Sequence, residues 1–282
     1  MDLGLGDLES YFARVNYGGP REPSLDVLRD LQYRHTHSVP FENLDVLLGR
    51  GIRLDTEALA GKLIGARRGG YCFEQNGLFQ RVLAALGFAV TPLAARVRWQ
   101  VPDGVETGRT HMLLKVDLAE GPHIVDVGFG GLNPTAPFAL TPGLEQPTSL
   151  ETYRIVPCDG DYALEALLGE AWGTLYRFTL EPNPQPDQEI SNWFVSTAPA
   201  SRFVLNLTLA LPEGDRRHTL FNDRFTIRHR GGRVEERTLD GADALVDTVQ
   251  RYFGLDLAAI AGMDGAKAIV ERCFPAGRNR IS

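Results

Sequence analysis

The order of patterns along this 282-residue chain predicts an α+β fold. Apolar residues recur at helical spacing over roughly the first 88 positions, β-rich segments follow Gly87, and the last third mixes both types. Helices, then strands, then a mixed segment favour α+β over a doubly wound parallel sheet, in which the two would alternate. The length suits two or three domains or one large one. The patterns divide it at residues 1–88, 89–190 and 191–282.

Ser24 can cap a helix that carries Leu25, Leu28 and Leu31 on one face, and Pro40 stops its continuation. Asp55 or Thr56 can cap a second, with Leu59 and Leu63 inward and an end near Gly65. A third begins at about Cys72; Phe79, Val82, Leu83 and Leu86 form its stripe, and Gly87 ends it. Residues 88–99, 110–118 and 123–128 then read as strands, with Met112, Leu114, Val116 and Leu118 alternating. Further strands are expected over 151–156, 162–168 and 172–180. The proline-rich run 181–186 reads as a rigid loop and a boundary. Residues 203–211 read as a strand, 224–229 and 233–239 as a hairpin about Gly231-Gly232, and Leu245, Val246, Val249, Tyr252 and Phe253 as a helix stripe ended by Gly254.

A net charge of −7 and a pI near 5.4 argue against a general nucleic-acid binder. An anionic ligand would need local basic residues or helix N-termini. Three scattered cysteines without a CxxC pair make a disulfide framework or a cysteine zinc site unexpected and suit a reducing, cytoplasmic compartment. The acidic N-terminus and the lack of about 18 successive apolar residues predict neither a signal peptide nor a membrane span.

The run Arg67-Arg68-Gly69-Gly70-Tyr71-Cys72-Phe73-Glu74-Gln75-Asn76 sets a cysteine at a helix start. The unpaired N–H groups and partial positive charge there favour a thiolate, which is the nucleophilic form. Gly69 and Gly70 can supply unusual backbone angles, and Arg67 and Arg68 add positive charge. A buried structural cysteine fits the local sequence as well. A cysteine nucleophile needs a base, and the base an orienting group. His111 opens one strand, and Asp126 sits in an otherwise apolar one, where an ionised carboxylate needs a partner. A turn centred between 120 and 121 would make opposite residues sum to 241. Any odd sum puts His111 and Asp126 on the same face. The sum of 241, however, sets His111 opposite Gly130, and direct contact needs a sum nearer 237 or a bulge. His123, the rival base, faces the other way. His35 and His37 lack a third metal ligand. The glycine-rich 127–131 reads as a strand-end bend or as a close backbone approach to substrate.

These residues carry a resemblance. Pro40-Phe41-Glu42-Asn43-Leu44, the run from Arg67 to Asn76, Thr110-His111-Met112-Leu113-Leu114 and Val125-Asp126-Val127-Gly128-Phe129-Gly130-Gly131 resemble the arylamine N-acetyltransferase family in order and spacing. The resemblance implies a cysteine-protease-like core: a helical bundle bearing the nucleophile (1–88), a β-barrel bearing histidine and aspartate (89–190) and a C-terminal α/β lid (191–282). It places the catalytic residues on Cys72, His111 and Asp126, and implies acetyl-CoA as donor, a small arylamine or hydrazine as acceptor, and no metal, nucleic acid or membrane partner. Phe41 and Phe129 would line the acceptor pocket. Thr110, Gly128, Gly130 and Gly131 are the nearest candidates for CoA contacts. Monomer and homo-oligomer are both compatible with it. Two other readings use the same residues: a cysteine hydrolase or transglutaminase-like enzyme, and a non-catalytic binding module. The 39 residues from Cys72 to His111 count against a papain-type enzyme, whose histidine lies about 130–150 residues downstream.

Overall fold

A computed structural model describes residues 4–102 and 104–274. The first part holds helices α1 (Leu5–Val15) and α2 (Leu25–Ser38), the short strand β1 (Phe41–Glu42), and α3 (Leu44–Leu47), α4 (Thr56–Leu59) and α5 (Cys72–Ala85). The expected caps form: Ser24 Oγ accepts from Val27 N at 3.3 Å and Asp55 Oδ1 from Ala58 N at 3.0 Å. Ala60–Gly65 continues α4 as a π-helical turn. Tyr11, Phe12 and Val15 of α1 pack with Leu28 and Leu31 of α2 and with Phe79, Val82 and Leu83 of α5 in one buried cluster.

Eight strands follow: β2 (Ala89–Val97), β3 (Arg109–Leu118), β4 (Gly121–Val125), β5 (Phe138–Ala139), β6 (Gln146–Pro147), β7 (Thr152–Cys158), β8 (Asp161–Leu168) and β9 (Ala171–Pro182). They form one antiparallel sheet in the order β5-β4-β3-β2-β9-β8-β7-β6. Its two edge strands meet through a side chain. The Gln146 amide of β6 accepts from Ala139 N at 2.8 Å and donates to Ala139 O at 3.0 Å on β5, which all but closes the barrel. Leu93, Leu113, Ile124, Phe138, Tyr153 and Phe178 lie in the barrel's buried cluster. The β7–β8 turn has Asp159 at φ 50° and Gly160 at φ 85°, the positive pair of a type I′ hairpin.

The last part comprises α6 (Gln185–Thr197), α7 (Arg202–Leu205), strands β10 (Thr208–Glu213), β11 (Arg216–Phe221), β12 (Arg224–His229) and β13 (Val234–Thr238), then α8 (Ala242–Phe253) and α9 (Leu257–Cys273). Its sheet runs β1-β10-β11-β12-β13, with Phe41 opposite Ala210, so the helical part donates a strand to it. The arrangement is the expected α+β fold.

Two local expectations are corrected. The 181–186 loop shrinks to two residues: β9 runs to Pro182, and Pro186 sits in the first turn of α6, where the missing proline N–H costs no helical bond. Residues 203–211 are not one strand. Ser201 accepts from Phe203 N and starts the one-turn α7, and pairing begins only at Thr208. Among the described residues no helix is long and apolar enough to cross a membrane.

Candidate active site

Cys72 is the first residue of α5, where the helix amides have no intrahelical acceptor. The run around it is held residue by residue. Tyr71 N donates to Glu74 Oε2 at 3.1 Å, and the Tyr71 hydroxyl donates to Asn192 Oδ1 on α6. Gln75 Nε2 donates to the carbonyls of Val39, Pro40 and Gly70, while its Oε1 meets His35 Nε2 at 2.7 Å. Neither Gly69 nor Gly70 has a positive φ. They are small for another reason: a Cβ on Gly69 would stand 1.8 Å from Pro40 O, and one on Gly70 2.7 Å from Glu74 Oε2. Close approach of the segment at β1 to Gly69 and of the Glu74 side chain to Gly70, rather than unusual backbone angles, demands the glycine pair.

The two arginines also differ from expectation. Arg68 is clamped behind the helix, donating to Glu42 Oε1 at 2.7 Å and to Asp45 Oδ1 at 2.9 Å. Lys62 joins it, 2.8 Å from Asp45 and 2.6 Å from Glu74. Burial still holds the Glu74 carboxyl above its ordinary range. The Arg68 charge is therefore consumed by neighbouring carboxylates, and Arg67 lines a separate cavity.

The barrel brings the partners. Strands β3 and β4 pair from Leu114 opposite Val125 to Leu118 opposite Gly121, a sum of 239 instead of 241, because the two-residue turn falls at 119–120, one residue earlier. The sum is odd, so His111 and Asp126 keep the same face. Pairing ends at Val125, and extrapolated register would set His111 two residues from Asp126, a diagonal that side chains span. His111 Nε2 donates to Asp126 Oδ2 at 2.7 Å, and the Cys72 side chain is near enough to the imidazole to favour its charged form. The Cys72 thiol also points at Thr110 O, 3.9 Å away. Burial opposes charge on His111, but the Asp126 carboxylate, aided by Cys72, outweighs it and raises the imidazole to about 10. Cys72, His111 and Asp126 are buried, at 4%, 3% and 1% exposure. The arrangement can hold a thiolate–imidazolium pair.

Asn76 completes the site and was not foreseen. Its Nδ2 donates to Asp126 Oδ1 at 3.0 Å and to Met112 O at 2.8 Å, and its Oδ1 accepts from Val127 N at 3.0 Å. Its position, one helical turn after Cys72 and on the same face, is the sequence signal that was there to be read. Gly128 N donates the remaining bond to Asp126 Oδ1 at 2.9 Å. A Cβ on Gly128 would lie 2.6 Å from Cys72 Cα, so the barrel meets the backbone of Cys72 only because this residue is glycine.

Aromatic rings surround the imidazole. Phe129 stands edge-on at 5.2 Å and Tyr176 lies at 5.0 Å; burial pushes the Tyr176 hydroxyl well above its usual range. Phe41 faces the bare Cα of Gly130, where a Cβ would sit 3.5 Å from its ring, and reaches Phe203 of α7 at 5.8 Å. Phe203, hidden inside the misread strand, thus joins Phe41. Asn43 holds the two together by donating to Phe203 O and Asn206 O, each at 2.7 Å. Thr110 is half-buried and Gly131 is exposed beside Thr219. His123 lies apart, bonded to Gly121 O, and His35 is buried between Tyr11 and Gln75. Among the described residues no group of three side chains is arranged to hold a metal.

The N-acetyltransferase family model matches residues 24–261. The arylamine N-acetyltransferase of Mycobacterium tuberculosis is 46% identical over 258 residues, covering 90% of this chain and 91% of that protein. The solved structure of the Mycobacterium marinum arylamine N-acetyltransferase superposes with a TM-score of 0.91 at 43% identity, over 95% of this chain and 100% of that one. Its complex with CoA superposes at 0.90 and 42%, over 94% and 98%. With a cysteine at a helix start, a histidine and carboxylate on the barrel, and this likeness across nearly the whole length, the chain belongs to the arylamine N-acetyltransferase family.

Proposed function

We propose that the chain is an acetyl-CoA-dependent N-acetyltransferase that carries the acetyl group on Cys72 and passes it to an aromatic amine or hydrazine. One observation carries the reading: Cys72 at the N-terminus of α5 lies beside a buried His111 that is bonded to Asp126 at 2.7 Å. Membership of the family supports the donor and the acceptor class.

His111 takes the proton of the Cys72 thiol, and Asp126 steadies the resulting imidazolium while fixing the ring. The thiolate attacks the thioester carbonyl. The C–S bond to CoA breaks, His111 returns its proton to the departing thiolate, and acetyl-Cys72 remains. The amine nitrogen then attacks this carbonyl, its proton passes to His111, and Cys72 leaves as the thiolate. Amides at the start of α5 face the oxyanion formed in each half. Phe41, Phe129 and Phe203 offer a flat apolar lining suited to an aromatic acceptor. Of the candidate donor contacts, half-buried Thr110 and exposed Gly131 are the ones open to CoA; Gly128 packs against Cys72 Cα and Gly130 against the Phe41 ring. Two substrates using one cysteine in turn give ping-pong kinetics.

The test is intact mass and thiol release. Acetyl-CoA alone should add one acetyl group at Cys72; an arylamine should remove it. Cys72→Ala should release no CoA yet still bind acetyl-CoA. Near-normal turnover by that variant would refute the mechanism.

A further inference from the structure

A second cavity, of about 430 Å³, opens between the bundle and the C-terminal part, and none of its lining residues belongs to the site around Cys72. Arg14, Arg67 and Arg251 converge on it, with His37, Tyr252 and the β10–β11 turn at Glu213 completing the wall. Three guanidinium groups around one cavity stand out in a chain of net charge −7.

Their partners do not account for them. Arg14 is 91% buried, and it donates only to the carbonyls of Leu63, Arg67 and Arg68. These carbonyls, at the end of the π-helical turn, offer partial charge and no anion. Burial and the neighbouring Arg67 pull the Arg14 guanidinium down to about 10, the direction expected when no carboxylate answers it. Among the described residues neither Arg67 nor Arg251 forms an ion pair; Arg251 rests on the Tyr252 ring at 5.3 Å. Arg67 is held at φ 51°, a left-handed conformation that a non-glycine residue keeps only where surroundings impose it. His37 Nδ1 donates to Tyr33 O at 2.7 Å, while its buried Nε2 has no partner in hydrogen-bonding geometry. The one carboxylate on the rim, Glu213, is largely exposed and lies 3.7 Å from His218.

We infer that this cavity is a binding site for a phosphate monoester with a flat apolar body. Planar guanidinium forks match phosphate oxygens bidentately. The cavity is of ligand-pocket size, larger than a bare ion needs. Tyr252, Leu211 and Pro212 supply an apolar flank beside the arginines.

Phenyl phosphate and inorganic phosphate are the probes, titrated into the full-length protein by calorimetry. Phenyl phosphate should bind at one site with a Kd below about 1 mM, and weaken about fivefold or more in each of Arg251→Gln and Arg67→Gln, which remove one charge-assisted contact apiece. Melting temperature should rise with phenyl phosphate in the wild-type protein, beyond a chloride control of equal ionic strength, and rise less in both variants. Arg251 is exposed on α8, so Arg251→Gln should keep wild-type acetyl transfer, which separates this site from the reaction at Cys72. No binding, or binding unchanged in both variants, overturns the inference. Equal affinity for inorganic phosphate overturns its assignment to an ester with an apolar body.

Discussion

Replacing Asn76 by alanine should unfasten the helical bundle from the barrel at the proposed catalytic site. The Asn76 side chain makes three hydrogen bonds with no solvent access: to Met112 O at 2.8 Å, to Asp126 Oδ1 at 3.0 Å and from Val127 N at 3.0 Å. Asn76→Ala leaves each partner behind. Val127 N becomes a buried unpaired donor, worth about 1–3 kcal/mol, and Asp126 loses one of its charge-assisted bonds, worth about 1.5–3 kcal/mol. Asp126 keeps Gly128 N and His111, so the carboxylate is weakened and not abandoned. A net loss of about 3–5 kcal/mol follows, a large part of the roughly 5–15 kcal/mol that holds a protein folded.

For a chain of this size the loss corresponds to a fall in melting temperature of about 5–8 °C. Calorimetry measures it directly. The same change frees Asp126 to turn, so the His111 ring loses its fixed orientation, and the alkylation rate of Cys72 by iodoacetamide at pH 6 should fall along with acetyl transfer. A melting temperature within about 2 °C of wild type, with unchanged alkylation, would show that Asn76 is replaceable and would refute this account of how Asp126 is positioned.

Three further outcomes follow from the same geometry. Gly128→Ala places a Cβ 2.6 Å from Cys72 Cα, so the barrel must recede; stability should drop by about 1–3 kcal/mol in denaturant titration, with acetyl transfer largely lost. His35 is buried, and desolvation first of all lowers it from 6.5 to about 4; its stabilisation is present above pH 6.5 and lost as pH falls towards 4, by about 3 kcal/mol, and His35→Gln should flatten that part of the stability curve. Gln146→Ala removes both bonds across the barrel seam and should cost about 1–3 kcal/mol, with faster amide exchange of Ala139 N as the local readout.

What the sequence made legible were features that single residues announce. A cysteine after two glycines, a histidine at a strand start and a carboxylate in an apolar strand each break a local pattern, and parity alone set the last two on one face. The distance between them depended on a two-residue turn that falls one position earlier than its glycine and proline suggested. Asn76 broke no pattern, because a polar residue in a helix is ordinary until the barrel docks against it. Phe203 was hidden by apolar runs that serve a one-turn helix and a strand equally well. Closure of the barrel by Gln146 was out of reach, since it joins edge strands of two residues each.

The electrostatics of Cys72 show most clearly how nearness in sequence misleads. Arg67 and Arg68 precede the cysteine by only a few residues, and both looked like activators. Arg68, however, meets Glu42 and Asp45, and with Lys62 and the half-exposed Arg50 it balances three carboxylates: Glu42, Asp45 and Glu74. A network whose charges cancel projects little field onto the sulfur. Arg67, at φ 51°, directs its side chain into another cavity. Two sources of positive charge remain: the start of α5, with a partial charge of about half a unit, and the imidazolium of His111, which Asp126 holds protonated. Both depend on the bundle and barrel being docked, through Asn76 and Gly128. The reactivity proposed for Cys72 therefore rests on the assembled interface, and Arg68 of its own sequence run serves to seat the helix.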